Sequence, residues 1–430
     1  MKKLISMLLA LAMVLALCAC GDSAGTAQES NAEEPAAASE AEAVEAAEPA
    51  AAEAAEPAAE GAAEAEHAPG LKYLAEGQVF PAETVKIGVP QYDETDSSAI
   101  AMKAYFDYLS QYLNIEFVYS EALGSAEDEL AFVENCYVSG CKAILGSYDV
   151  IGHTIIDTCA EYGMYYLLGP SDLSKMEGDL YEQYKGNDAW IGGITLGNVN
   201  YISGGAVADF LVEHGVKKAC YASGGAIFGV EMFVAGQNGF NDALNASGAD
   251  IEIIDLPGFP SDEWFATQAS ILADPDLEAV TGLATPNFWA QPMMAAGRDD
   301  ILLVSASGAL DETNMNALKD GTLDFICFNN VEEHALNIIM LLNALEGDMD
   351  MVKPDGATML VDANCWQASD IDYFMQVYNM SHSDEHIIDI NDVCSVIKAL
   401  NPDATFDDIY SVFGETDLDA ILARHEANRG

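Results

Sequence analysis

The sequence predicts an α/β protein whose body is built as two lobes, each a doubly wound parallel sheet covered by helices. Three observations predict it. Short apolar runs of strand length alternate with longer stretches of helical spacing from about residue 85 to residue 305. The alternation is broken once, at Gly192-Gly193-Ile194-Thr195-Leu196-Gly197-Asn198, which divides it into two sets. The chain after Gly70 is long enough for two domains, and 50% of the 430 residues are hydrophobic, so a large core can form.

In the first set the expected strand Val85 to Pro90 leads to a helix from Ser97 to Leu113. Strand Ile115 to Tyr119, helix Ala126 to Ser139, strand Ala143 to Ser147, helix Ile151 to Tyr162 and strand Met164 to Leu168 follow. The second set opens with a helix from about Tyr201 to His214. It continues through strand Lys218 to Ala222, helix Glu231 to Ala246, strand Ile251 to Leu256, helix Asp262 to Ala273, strand Ala279 to Ala284, a helix near Gln291 and strand Ile301 to Ser305. Consecutive strands joined through helices pair in parallel, because the crossover returns each strand to the same end of the sheet.

Ahead of this body, Met1-Lys2-Lys3 supplies positive charge and Leu4 to Leu17 an apolar run too short for a comfortable membrane span. The run ends in Leu17-Cys18-Ala19-Cys20-Gly21, which resembles the lipobox of bacterial lipoproteins. That resemblance implies cleavage after residue 19 and acylation of Cys20 rather than Cys18, and with it a lipid anchor on the extracytoplasmic face of the cell membrane. Residues 20–70 are rich in Ala and Glu, lack Lys and Arg, and carry prolines at Pro49 and Pro57. High charge without aromatic residues cannot build a core, so this stretch reads as a disordered tether.

The formal net charge is −55, and the chain after Gly70 carries 58 acidic against 14 basic residues. Such a surface is repelled by phosphate, which sets aside nucleic acid and anionic headgroups as partners. Seven cysteines remain in the body: Cys136, Cys141, Cys159, Cys220, Cys327, Cys365 and Cys394. The number is odd, none forms a Cys-x-x-Cys pair, and most sit in apolar stretches, so buried free thiols are expected, with a Cys136–Cys141 bridge left open. Enzyme signatures are missing from the body: no phosphate loop, no dinucleotide fingerprint and no Gly-x-Ser-x-Gly elbow occurs after Gly70. His382 and His386 have a spacing that two zinc ligands could use, but no third ligand accompanies them, and they read as surface histidines. Neither a cofactor nor a metal is expected, and no catalysis.

From about Val85 to Phe374 the chain resembles the type 1 periplasmic binding proteins, in particular the ribose- and galactose-type solute-binding proteins of ABC importers. The parts that carry the resemblance are Lys86-Ile87-Gly88-Val89, the glycine-rich crossing near Asn198, and Gly236 to Phe240. They continue with Ala284-Thr285-Pro286-Asn287, Leu303 to Gly308, a second crossing over Leu323 to Asn330 and a third at Leu360-Val361-Asp362-Ala363-Asn364. The resemblance implies two lobes joined by a three-segment hinge: residues 71–198 and 329–361 in the N-terminal lobe, 199–328 and 362–380 in the C-terminal lobe. Two departures stand out: Ser307 where the family often has Asp, and Phe233-Val234 where an arginine is common.

Parallel sheets place ligands beyond the carboxyl ends of their strands, so facing lobes make a cleft. The candidate ligand contacts are Gln91, Tyr92, Asp93, Tyr148 and Asp149 in the first lobe. Phe228, Trp264, Asn287, Phe288 and Ser307 are those of the second lobe, and Asn329 and Asn330 those of the second crossing. Carboxylates and amides share hydrogen bonds with vicinal hydroxyls, and aromatic faces stack on a sugar ring. Trp264 has an equal reading as a core residue of its helix, and Asp93 as a helix cap. Residues 381–430 extend past the resemblance; their apolar spacing predicts short helices packed on the second lobe, with Asp403, Asp407 and Asp408 as caps rather than calcium ligands. The expected role is capture of a small solute, a carbohydrate first, by a monomeric lipoprotein that hands it to an ABC permease. A sensor for a membrane receptor kinase and a nucleoside-binding lipoprotein of the same fold are the alternatives.

Overall fold

The computed structural model describes residues 71–75, 77–91, 93–146, 151–171, 180–196, 198–283 and 285–429. The leader, Cys20 and the tether therefore lie outside the described residues, as do Tyr92, Tyr148 and Asp149.

Two six-stranded sheets form the body. The first takes its strands in the order β11-β5-β4-β3-β1-β2, where β1 is Val85–Gln91, β2 Ile115–Ala122, β3 Ala143–Gly146, β4 Tyr165–Ser171, β5 Trp190–Thr195 and β11 Leu360–Asp362. The second runs β12-β10-β9-β8-β6-β7, with β6 Lys218–Gly224, β7 Glu252–Pro257, β8 Ala279–Leu283, β9 Leu302–Ser307, β10 Phe325–Phe328 and β12 Trp366–Ala368. The pairings are parallel, in register as Val85 with Ile115 and Lys218 with Glu252, apart from the antiparallel β10–β12 ladder. The same order in both sheets, with β11 and β12 added at the edges by a chain that has already crossed, gives the doubly wound two-lobe architecture.

Helices cover the sheets: α1 Ser97–Ser110, α2 Ala126–Val138, α3 Thr154–Tyr162, the short α4 Leu180–Tyr184, α5 Val199–Glu213, α6 Glu231–Ser247, α7 Asp262–Leu272, α8 Thr285–Ala296 and α9 Glu312–Asp320. After the second sheet's β10 come α10 Ala335–Glu346, which packs back on the first sheet, and α11 Ile371–Ser381. Much of the acidity has local employment. Asp96, Asp311, Asp370, Asp389 and Asp417 each cap a helix by accepting from N–H groups of its first turn.

Expected and observed elements agree closely in the alternating regions and differ at the crossings. The glycine-rich stretch expected as a connection is largely the buried strand β5. Its glycines serve close packing rather than a turn: a Cβ on Gly192 would lie 2.2 Å from the Met340 sulfur of α10, and one on Gly193 would lie 2.4 Å from the Leu168 carbonyl of β4. The second crossing contributes β10, and the third contributes β11 and β12. All seven body cysteines are free thiols, and six are buried.

Residues 390–428 form three further helices, α12 Ile390–Ser395, α13 Phe406–Phe413 and α14 Leu418–Asn428. The expectation that they pack on the second lobe is corrected. Their main contacts run to the first lobe: Tyr105 of α1 donates to the Ile388 carbonyl, Tyr108 accepts from Ile390 N–H, and Asn343 of α10 bonds both Val396 and Lys398. Thr405 and Asp408 form the capping box of α13, so Asp408 is a cap as expected.

Candidate functional site

The candidate residues among those described stand at or beyond the carboxyl ends of strands, but not on equal terms. Gln91 ends β1 buried, its N–H donating to Ser120 Oγ at 2.8 Å and its carbonyl accepting from Leu123, which fixes the strand end. Asp93 stands just beyond and accepts from both the N–H and the hydroxyl of Thr95, at 2.8 and 2.7 Å. Those two bonds hold its carboxyl below the usual carboxylate value.

In the second lobe the segment after β6 folds into a tight helical turn, Gly225–Phe228, and leaves Phe228 half exposed. Its ring lies 5.8 Å from Phe259, nearly parallel, and Phe259 in turn meets Phe233 edge-on, so the three make an aromatic ledge at the strand ends. Phe233 belongs to the segment that departs from the family pattern, and its ring supports this ledge where an arginine would supply charge. Asn287 is exposed on the first turn of α8. Phe288 is half buried, and Ser307 ends β9 half buried with its carbonyl accepting from Ser305 Oγ.

Trp264 takes the core reading. It is 7% exposed and packs among Phe265, Phe288 and Trp289 with centroids 5.3 to 6.2 Å away. Asn330 is also buried. Its side-chain oxygen accepts from Glu332 N–H, capping the turn Val331–His334, while its amide nitrogen has no hydrogen-bond partner. Asn329 is exposed and reaches the inter-lobe space.

Between the lobes, Asn329 and Val331 share a cavity of about 30 Å³ with Ser97, Ser98 and Ala101 of α1 and with Ala309 and Leu310 beyond β9. Such a volume takes a water, whereas small-molecule sites run to several hundred Å³. The lobes thus approach closely here. Ser97, Ser98, Ala309 and Leu310 were missed as lining residues in the sequence, because a helix start and a loop beyond a strand carry no mark of facing each other. Beside this cavity the helix-capping Asp311 carboxyl is pushed up by burial, and the charges of Asp96 and Glu312 add to that rise. A larger open depression of about 460 Å³, lined by Pro354, Asp355, Met359 and Thr405 to Asp407, lies before β11 and away from the carboxyl strand ends.

The crossing itself is held by two buried carboxylates. Glu333 accepts from the N–H and side-chain amide of Asn364 and from the Trp366 indole, joining the second crossing to the third. Burial pushes its carboxyl up to about 7, against the pull of those bonds. Burial also lowers His334 beside it to about 4. Glu332 accepts from Ser381, His386, Ile387 and Ile388.

His386 is therefore not a surface residue, as its sequence suggested, but buried against Tyr108 at 3.9 Å. His382 is exposed and stacks on Tyr378, so the two histidines do not form a pair. The one grouping of potential metal ligands among the described residues is Asp389, Asp392 and His425 in the C-terminal segment. There Asp392 accepts from Arg424, His425 and Asn428, an arrangement that matches its charge within the protein.

No protein-family model matches the sequence, and no curated protein is similar to it in sequence. Solved structures are similar in fold. A periplasmic sugar-binding protein from Pseudomonas fluorescens superimposes with a TM-score of 0.57 at 13% identity, covering 77% of this chain and 100% of that one. The periplasmic component of an arabinose ABC transporter from Shewanella sp. ANA-3, bound to L-arabinofuranose, gives 0.52 at 14% identity over 69% and 95% of the two chains. A Caulobacter myo-inositol-binding protein gives 0.51 at 13% identity over 70% and 98%. The chain has the two-lobe α/β fold of periplasmic solute-binding proteins, which fulfils the fold expectation. At such identities the likeness carries the fold and not the ligand contacts.

Proposed function

We propose that this protein captures a small solute, a carbohydrate, in the cleft between its lobes and delivers it to an ABC permease, held at the membrane surface by acyl chains on Cys20. The observation that carries the reading is the pairing of two identically ordered parallel sheets whose carboxyl ends present an aromatic ledge at Phe228 and polar groups at Asp93, Asn287 and Asn329. A pyranose or furanose ring has apolar C–H faces and a rim of hydroxyls, so it is matched by a ring to stack on and by amides and a carboxylate at its edge. The solved sugar-binding proteins of the same fold support it.

Capture on this reading is a two-state motion. The lobes rotate about the crossings, the ligand enters from the open state, and closure removes it from water. The 30 Å³ left beside Asn329 requires opening before a sugar can enter. A ligand that binds the closed state stabilises it by mass action.

Thermal-shift screening of the purified protein against monosaccharides, nucleosides, amino acids and polyamines tests the proposal. A monosaccharide is expected to raise the melting temperature, and Phe228→Ala to weaken that ligand by roughly 3- to 10-fold, the loss of one stacking contact. Stabilisation by amino acids or polyamines alone would overturn the carbohydrate reading; stabilisation by nucleosides alone would move the assignment to a purine or pyrimidine base on the same ledge.

A further inference from the structure

The C-terminal segment touches every part of the molecule that moves when a two-lobe binding protein opens. Toward the first lobe its bonds are numerous and buried. Tyr105 Oη donates to the Ile388 carbonyl at 2.8 Å and Ile390 N–H donates to Tyr108 Oη at 3.0 Å. Asn343, fully buried on α10, donates to the Val396 carbonyl at 3.1 Å and accepts from Lys398 N–H at 2.9 Å, and Lys398 pairs with Asp350.

At the second crossing, the fully buried Glu332 gathers the N–H groups of Ile387 and Ile388, at 2.7 and 2.8 Å, together with His386 Nδ1. His386 adopts a φ of +46°, a conformation unfavourable for a side-chain-bearing residue, and it is held there by Glu332 and by the Tyr108 ring. At the third crossing, Asn364 donates to the Phe413 carbonyl.

Toward the second lobe the contact is slighter. Helix α11 belongs to that lobe, since Phe374 packs on Phe328 of β10 with centroids 4.9 Å apart. From α11, Tyr373 Oη donates to the Thr416 carbonyl at 3.0 Å, in the short connection between α13 and α14. The segment is internally stiff: Asp392 binds Arg424, His425 and Asn428, and Arg429 pairs with Leu71 at the start of the described chain. The solved neighbours are matched over 95–100% of their own lengths but account for 69–77% of this chain. The first 70 residues are too few to make up that difference.

We propose that residues 383–429 are a strap across the hinge, fixed to the first lobe and the second crossing, whose Phe413–Thr416 connection latches on α11 and sets the resting angle between the lobes. Opening must break a contact on one side of the strap. The side that gives is the second lobe, where the Tyr373–Thr416 bond stands against a buried network on the other side. The strap is thus a restraint on opening that acts outside the cleft. It rests on the two-lobe fold and not on the identity of the solute.

The test is the distance distribution between two spin labels on the full chain without any ligand. The labels replace Val138 of α2 and Met294 of α8, which are 83% and 71% exposed, and are introduced as unnatural amino acids so that the native thiols stay untouched. The parent protein is expected to show one narrow population. Tyr373→Phe removes the latch bond and is expected to add a second, longer population with the melting temperature almost unchanged; Tyr373→Ala should enlarge that population. If both variants fold and their distributions superimpose on the parent's, the strap does not set the angle. Should the alanine variant fail to fold, the phenylalanine variant alone decides.

Discussion

Glu333 shows how a single residue couples the hinge to pH. Its carboxyl is raised from an ordinary 4.5 to about 7 by burial, so the unfolded chain gives up this proton earlier than the folded one. The contribution is present below about pH 4.5 and is lost as pH rises through about 7. His334 slopes the other way. Lowered from 6.5 to about 4 by burial, it contributes above pH 6.5 and loses that contribution as pH falls toward 4. Glu333→Gln keeps an oxygen for Asn364 Nδ2 and Trp366 Nε1 and removes the titration. It is expected to raise the melting temperature at pH 8 relative to the parent and to leave the two proteins alike near pH 4.5. A parent-like difference between pH 5 and pH 8 in the variant would assign the pH dependence to another group.

At the scale of elements, the densest helix pair is α5 on α6, and its closeness is a matter of glycine. A Cβ on Gly239 would lie 1.9 Å from the Tyr201 carbonyl, and one on Gly204 would lie 2.0 Å from the Gly236 carbonyl. Both obstacles are backbone, so neither can swing aside, and the helices must separate to admit a methyl group. Gly239→Ala is therefore expected to cost about 1–3 kcal/mol, the usual range for an overpacked core, read as a shift in the denaturation midpoint. Gly236 to Phe240, quoted above for its family resemblance, thus has a packing role of its own: Phe240 stacks on Tyr221 of β6, 4.4 Å away. The same contrast explains which elements were legible. Helices and strands of the alternating regions announce themselves by period, whereas β5 is rich in glycine because it lies between Met340 and Leu168, and a sequence shows glycines without showing what presses on them.

For the whole molecule, the acidic balance and the N-terminal features frame where the lobes work. The proposed anchor has a direct check: Cys20→Ser is expected to move the protein from the membrane fraction to the medium, because on that proposal one cysteine would carry all the acyl chains. Retention of the variant at the membrane would remove the lipoprotein reading and leave the fold untouched. The candidate site was legible as a region and only partly as residues. Strand ends could be located from the alternation, and they led to Asp93, Phe228, Asn287 and Asn329. Trp264 and Asn330 satisfied the same rule yet turn inward, because the direction of a side chain beyond a strand depends on which neighbours pack against it.

The sequence by itself determined the α/β class and the two-lobe division, since period and composition are local properties that survive without coordinates; it left a Cys136–Cys141 bridge open, and the structure shows both as free thiols. The tertiary structure alone decided that the C-terminal segment bonds to α1, to the second and third crossings and to α11, that Glu332 and His386 meet, and that Asn364 ties the third crossing to both Glu333 and Phe413. Glu332 and His386 are 54 positions apart in the chain, and no local pattern records a contact made between segments so distant. Their meeting is settled by the packing of helices and crossings into one hinge, where a buried carboxylate must find donors wherever the fold supplies them.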